Sequence, residues 1–148
     1  MGSRVEEENC LKQEQMAAVI IGGCDHQKTV KQSEVWSPEP GMAVPSTPIS
    51  SCAKPASVFI NGSIILCGGE GRNTTPCYSH KLGTTTWEAF PHLSVHRDRF
   101  TLSAVGDAIV VVGGFKSGSD VEIFKDGAWT AGPNLRTGHG TIHHCAVG

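Results

Sequence analysis

Two adjacent glycines recur three times along the chain, at Gly22-Gly23, Gly68-Gly69 and Gly113-Gly114. Counted between first glycines, the intervals are 46 (68 − 22) and 45 (113 − 68) residues. Each pair closes a short apolar run: Ala18 to Ile21, Ile64 to Cys67, and Ile109 to Val112. A tryptophan follows each pair, at Trp36, Trp87 and Trp129. Self-similarity at such a period marks a repeat architecture, in which one supersecondary unit stacks on the next because it cannot bury its own apolar surface.

The interior of each repeat reads as antiparallel strands. In the second copy Ala56 to Ile60 and Ser63 to Cys67 flank Asn61-Gly62. In the third, Phe100 to Val105 and Ala108 to Val112 flank Gly106-Asp107. Two β-rich runs joined by a two-residue turn containing glycine are a hairpin. The second run of each is apolar at nearly every position, as suits a strand covered on both faces. A polar loop is expected after each double glycine, then a strand carrying an aromatic (Ser33 to Trp36, Pro76 to Tyr78, Asp120 to Phe124). Another turn follows, Lys125-Asp126-Gly127 in the third copy, and a last strand near Trp87 or Trp129. The expected fold class is therefore all-β, with about three four-stranded antiparallel units stacked radially. Glycine suits the positions where strands end because it accepts positive φ and close backbone approach. The aromatics at Trp36, Tyr78, Trp87, Phe124 and Trp129 are expected to fill the space between units.

Bulk properties exclude several classes. The chain has 148 residues and a formal net charge of −2, which gives no general attraction to nucleic acid or membrane surfaces. No apolar run approaches the length of roughly 18 residues that crosses a bilayer as a helix. The first residues lack the apolar core of a signal peptide, so a complete chain is expected in the cytoplasm and a fragment of a secreted protein outside the cell.

None of the six cysteines (Cys10, Cys24, Cys52, Cys67, Cys77, Cys145) forms a C-x-x-C pair, which argues against a zinc ribbon or a thioredoxin-type centre. Buried reduced thiols are the plain expectation. Cys67 and Cys77 stand apart, since they fall on neighbouring antiparallel strands where a disulfide is geometrically feasible. Asn61-Gly62-Ser63 and Asn73-Thr74-Thr75 are formal glycosylation triplets, although Asn-Gly is first a hairpin signal. His139, His143 and His144 invite a metal reading. On a strand His143 and His144 face opposite ways, while His139 and His143 stand about 13 Å apart. No metal or other cofactor is expected.

The order of apolar strand, double glycine, polar loop, aromatic and tryptophan resembles that of kelch repeats. Three copies in register, with Val121 to Phe124 followed by Trp129 and Leu93 to Arg99 preceding Gly113-Gly114, carry the resemblance. It implies a kelch-type β-propeller, with a polar segment 1–16 and repeats at about 17–53, 54–98 and 99–136. Residues 137–148 read as the first strand of a further blade. The chain departs from the family in having Trp36 where a tyrosine is usual and in lacking a second tryptophan between Pro38 and Pro48. Three repeats are too few for a ring of the usual 4–8 blades. The chain is then a fragment, or half of a homodimer closing a ring, or completed by blades from another chain.

The resemblance implies a non-catalytic protein-interaction module binding its partner through loops around the axis. Recruitment of targets to a cullin-based ubiquitin ligase and binding of actin are the family roles. Ligase recruitment normally needs an adaptor domain that this sequence does not contain. The arginine-bearing loop of the family falls here at Arg97 and Arg99, with Lys54 at the 45-residue offset from Arg99 and Arg136 matching Arg97. Together they are expected to form a basic arc for an acidic peptide, because guanidinium groups capture carboxylates in two-point fashion. The competing reading is solvated charge, or pairing with neighbours such as Asp98. A second class is a secreted or cell-surface kelch domain carrying a Cys67–Cys77 disulfide. A kelch-fold enzyme fits least: a copper-radical site needs several tyrosines, and Tyr78 is the single one.

Overall fold

In the computed structural model the chain is described over residues 18–25, 28–36, 43–49, 55–68, 74–114 and 117–136. All regular structure among these is β. Strands β1 (Ala18–Asp25) and β2 (Lys28–Trp36) pair as a two-stranded first sheet. The second sheet holds β3 (Ala56–Ile60), β4 (Ser63–Cys67), β5 (Thr75–Lys81) and β6 (Glu88–Leu93) in that spatial order. The third holds β7 (Thr101–Val105), β8 (Ala108–Val112), β9 (Val121–Lys125) and β10 (Ala128–Ala131), again in chain order. All pairings are antiparallel. The segments named as 1–16 and 137–148, with Lys54, Gly69 and the three C-terminal histidines, lie outside the described residues.

Local sequence explains the hairpins. At Asn61-Gly62 both φ values are positive, 50° and 74°, and at Asp126-Gly127 they are 52° and 87°. This is the primed turn whose twist matches the flanking strands. The last turn is thus two residues, with Lys125 paired to Ala128. The double glycines act where strands end. Gly68 has φ of 135°, and a Cβ there would meet Pro55 Cα at 2.7 Å. Gly114, at φ 110°, lies against Asp98 O, which a Cβ would approach to 3.1 Å. Each pair thereby admits the chain segment that enters the sheet.

The first unit differs. Its strand runs through Gly22-Gly23 to Asp25, with the register shifting between Ile21 and Gly23. A polar loop was expected there. Residues 24–34 contain no glycine, asparagine or proline to stop the pairing, so the hairpin extends and the extra residue is absorbed as a bulge. The second unit brings another correction. Counting back from the glycines, Ala18 pairs with Trp36, Ile64 with His80 and Ile109 with Phe124. The residue in register with Trp36 and Phe124 is therefore His80. Tyr78 pairs with Leu66, the position that belongs to Glu34 and Glu122 in the other sheets.

The second and third sheets pack face to face, with β3 against β7 and β6 against β10. Directly opposed residues share a face, so register assigns the core. Ile65, Cys67 and Cys77 on the second sheet meet Leu102, Ile109 and Val111 on the third, joined by Leu93 at the end of β6 and Phe100 from the connection. At the outer rim Phe90, Phe124 and Trp129 cluster, with centroids 4.5 Å apart for Phe90–Phe124 and 5.2 Å for Phe124–Trp129. These tilted contacts add to area burial. Cys67 and Cys77 are directly opposed, fully buried and joined by a disulfide across a Cα separation of 4.1 Å.

One device occurs twice. Trp87 Nε1 donates to Pro45 O at 3.1 Å, and Trp129 Nε1 donates to Pro91 O at 2.7 Å. Pro91 lies in the last strand of the second sheet. Pro45 therefore marks residues 43–49 as the counterpart of β6, and Val44, Thr47 and Ile49 are buried there.

Candidate functional site

The loop from Ser94 to Phe100 connects the two large sheets and holds the densest polar chemistry of the described residues. Its centre is Arg97, 2% exposed. An arginine so deeply buried needs its charge compensated and its donors paired; here Nε and Nη1 are paired and Nη2 has no hydrogen-bond partner among the described residues. Glu122 on β9 supplies the charge, accepting Arg97 Nε at 3.0 Å. Its second oxygen accepts the Ser94 backbone N–H at 2.8 Å. Arg97 Nη1 donates to two carbonyls, Gly113 O at 2.8 Å and Asp120 O at 2.9 Å. The Arg97 N–H donates to Thr75 Oγ1 at 2.7 Å, and that hydroxyl donates back to Arg97 O at 3.3 Å. Ser117 Oγ donates to Gly113 O at 2.7 Å. The end of the second sheet is thus bound to the double glycine and the third strand of the next.

Arg97 was expected on a basic arc facing a partner. It is instead inside the joint between sheets, because the carboxylate of Glu122 and the carbonyls left unpaired where β8 ends at Gly113 draw the guanidinium inward. Sequence carried one signal for this. Glu122 pairs with Val111, which is fully buried, so a carboxylate stands on the inward face of an otherwise apolar strand pair and requires a cation.

Arg99 is placed differently. Its side chain is 35% exposed, with Nε 3.7 Å from Asp98 Oδ2. Its backbone φ is 60°. The other non-glycine residues at positive φ are Asn61 and Asp126, both in tight turns where their type is at home. An arginine there is unusual and costs about 1–2 kcal/mol. Arg136 is exposed at the end of the described chain. Arg97, being buried, forms no part of an exposed basic surface with Arg99 and Arg136.

His80 is the other buried polar group that sequence reasoning missed. It is fully buried, with Nδ1 3.0 Å from Thr86 O and its ring 5.2 Å from that of Trp87. The Thr86 carbonyl only accepts, so Nδ1 carries the proton. Among the described residues no group of three or more histidine, cysteine or acidic side chains is arranged to hold a metal ion. No helix among them is long and apolar enough to cross a membrane.

No protein family and no curated protein matches this chain.

Proposed function

We propose that the chain is a non-catalytic protein-interaction module built of kelch-type propeller units, which captures an acidic segment of a partner protein at Arg99. The kelch reading rests on the sequence order and on the recurrence of one stacking device, Trp87 to Pro45 O and Trp129 to Pro91 O. The recognition reading rests on a single observation: a partly exposed guanidinium held at φ 60° by a loop whose neighbour Arg97 anchors it. Backbone strain of this kind persists where the surrounding structure over-determines it, and it concentrates at binding sites. Arg97 then acts as the support for the loop and Arg99 as its ligand-facing residue.

The test is Arg99→Gly, measured twice. Glycine accepts positive φ without strain, so stability rises by about 1 kcal/mol. Affinity for Asp/Glu-rich peptides, read by fluorescence anisotropy, falls about tenfold or more with loss of the charge-assisted contact. Unchanged peptide binding in a stabilised variant would sink the assignment.

The buried Cys67–Cys77 bond favours a second reading, of compartment: an extracellular or otherwise oxidising location, where such bonds persist. Cysteines that both alkylate in the cell without prior reduction would overturn it.

A further inference from the structure

The hairpin of β3 and β4 turns at Asn61-Gly62 and re-enters the sheet at Ser63, so the glycosylation triplet is the turn itself. The turn requires positive φ at its first position, and glycine and aspartate meet that need as well as asparagine does. In the third sheet Gly106 stands there at φ 60°, and Asp126 opens the next turn at φ 52°. The hydroxyl of Ser63 is not required either, since Ala108 holds the matching register position. The pairing of an asparagine with a hydroxyl two residues on is therefore not dictated by the scaffold. Space around it is open: Asn61 and Gly62 are exposed, and a Cβ on Gly62 would meet nothing within 4 Å. The other triplet is different. Thr75 is fully buried, and its hydroxyl is committed to the backbone of Arg97; Asn73 lies outside the described residues.

Phe59 supplies an independent observation. At 56% it is the most exposed large apolar side chain of the described residues. Its register counterpart in the third sheet is Ala104, so the stacking of sheets does not call for an aromatic at this place. A phenylalanine left in water forfeits its burial free energy unless something covers it. A pyranose ring presents a face of C–H groups with partial positive charge, which suits the negative face of an aromatic ring. Phe59 stands two residues before Asn61, at the strand end over which a sugar on that amide would lie.

We propose that Asn61 carries an N-linked glycan whose first sugar packs on Phe59. The proposal rests on the oxidising compartment read from the Cys67–Cys77 bond, because N-linked glycans are attached where such bonds form. In the transfer, Asn61 Nδ2 bonds to the anomeric carbon of an oligosaccharide carried on a lipid diphosphate. The bond from that carbon to the diphosphate oxygen breaks, the lipid diphosphate leaves with the electron pair, and one amide proton is released. Ser63 supplies the hydroxyl that completes the acceptor triplet. The glycan leaves the Arg99 loop open. Asn61 precedes β4, whereas that loop is fastened to Thr75 beyond the other end of this five-residue strand, about 13 Å away by strand rise.

The experiment is mass spectrometry of the protein isolated from its own cells, with free thiols alkylated before any reduction. The peptide holding Asn61 should carry an oligosaccharide that peptide N-glycosidase removes, leaving aspartate. Asn-Gly also converts slowly to aspartate unaided, so the intact glycopeptide is weighed in an untreated sample. Ser63→Ala should lose the glycan with unchanged circular dichroism, and Ser63→Thr should keep it. Removing the glycan should lower the urea midpoint of the wild type and leave that of Phe59→Ala nearly unmoved. An intact Cys67–Cys77 bond with a bare Asn61 would overturn the glycan and leave the compartment reading standing. Free thiols at both cysteines with a bare Asn61 would overturn both. A glycan whose removal shifts the wild type and Phe59→Ala alike would overturn the packing on Phe59.

Discussion

Glu122→Ala is the most direct probe of the joint between the sheets. The substitution removes the acceptor of two bonds, from Arg97 Nε at 3.0 Å and from Ser94 N at 2.8 Å. The two side chains are 0% and 5% exposed, so neither freed group gains full hydration. Bonds to a charged acceptor are worth about 1.5–3 kcal/mol each, which puts the loss at about 3–6 kcal/mol. Breaking a buried pair by removing one partner costs about 3–5 kcal/mol by a separate line of reasoning. Arg97 keeps its carbonyl acceptors Gly113 and Asp120, which favours the lower half of both ranges. The expected cost is therefore about 3–4 kcal/mol, a large share of the roughly 5–15 kcal/mol that holds a typical domain together. Urea unfolding followed by tryptophan fluorescence and far-ultraviolet circular dichroism reads this as a fall in midpoint at constant slope. The cost should hardly change with salt, since buried pairs are weakly screened. Arg97→Met with Glu122→Leu should be milder than Glu122→Ala alone, because no uncompensated charge remains. A loss below about 1 kcal/mol for Glu122→Ala, or one that salt abolishes, would refute the buried joint.

Two further substitutions test other parts of the stack. The disulfide closes a loop of sequence separation 10, for which chain entropy gives about 2.7 kcal/mol; reduction should lower stability by that order. Cys67→Val with Cys77→Val should still fold, because the third sheet places Val112 opposite Val121 at the matching positions, and urea melts with and without a dithiol check both statements. Trp129→Phe removes the indole donor to Pro91 O while keeping an aromatic ring, and should cost about 1 kcal/mol in the same assay.

The hairpins were legible because local chemistry alone decides them. Asn61-Gly62 and Gly106-Asp107 place their turns where the strands reverse, and Ala56–Ile60, Ser63–Cys67 and Ala108–Val112 run as read. That Cys67 and Cys77 fall on neighbouring antiparallel strands was legible; that they join in a disulfide was not, since buried reduced thiols were the plain expectation. The loop between sheets was not. Leu93 to Phe100 holds three basic side chains in eight residues and reads as solvated surface. Whether Arg97 faces water or protein depends on Glu122, 25 residues later, and on carbonyls whose strand partners are missing at Gly113. Such acceptors have no sequence signature. The first unit was misread because the double glycine ends a strand in the second and third copies and is extended through in the first, and what stops a strand lies beyond the glycines.

The arginine joint also governs how the molecule comes apart. Loop 94–100 leaves β6 and is fastened to β9 and to the end of β8, so the free energy of each large sheet is conditional on the other. In most repeat proteins each unit has its own stability and neighbours add a nearest-neighbour coupling. Here that coupling combines the shared apolar core with one buried side chain and the carboxylate that receives it. Fraying of one sheet alone would strand a charge in an apolar joint. The two sheets should therefore open as a single cooperative unit, with amide protons of β4 and β8 exchanging at one common rate.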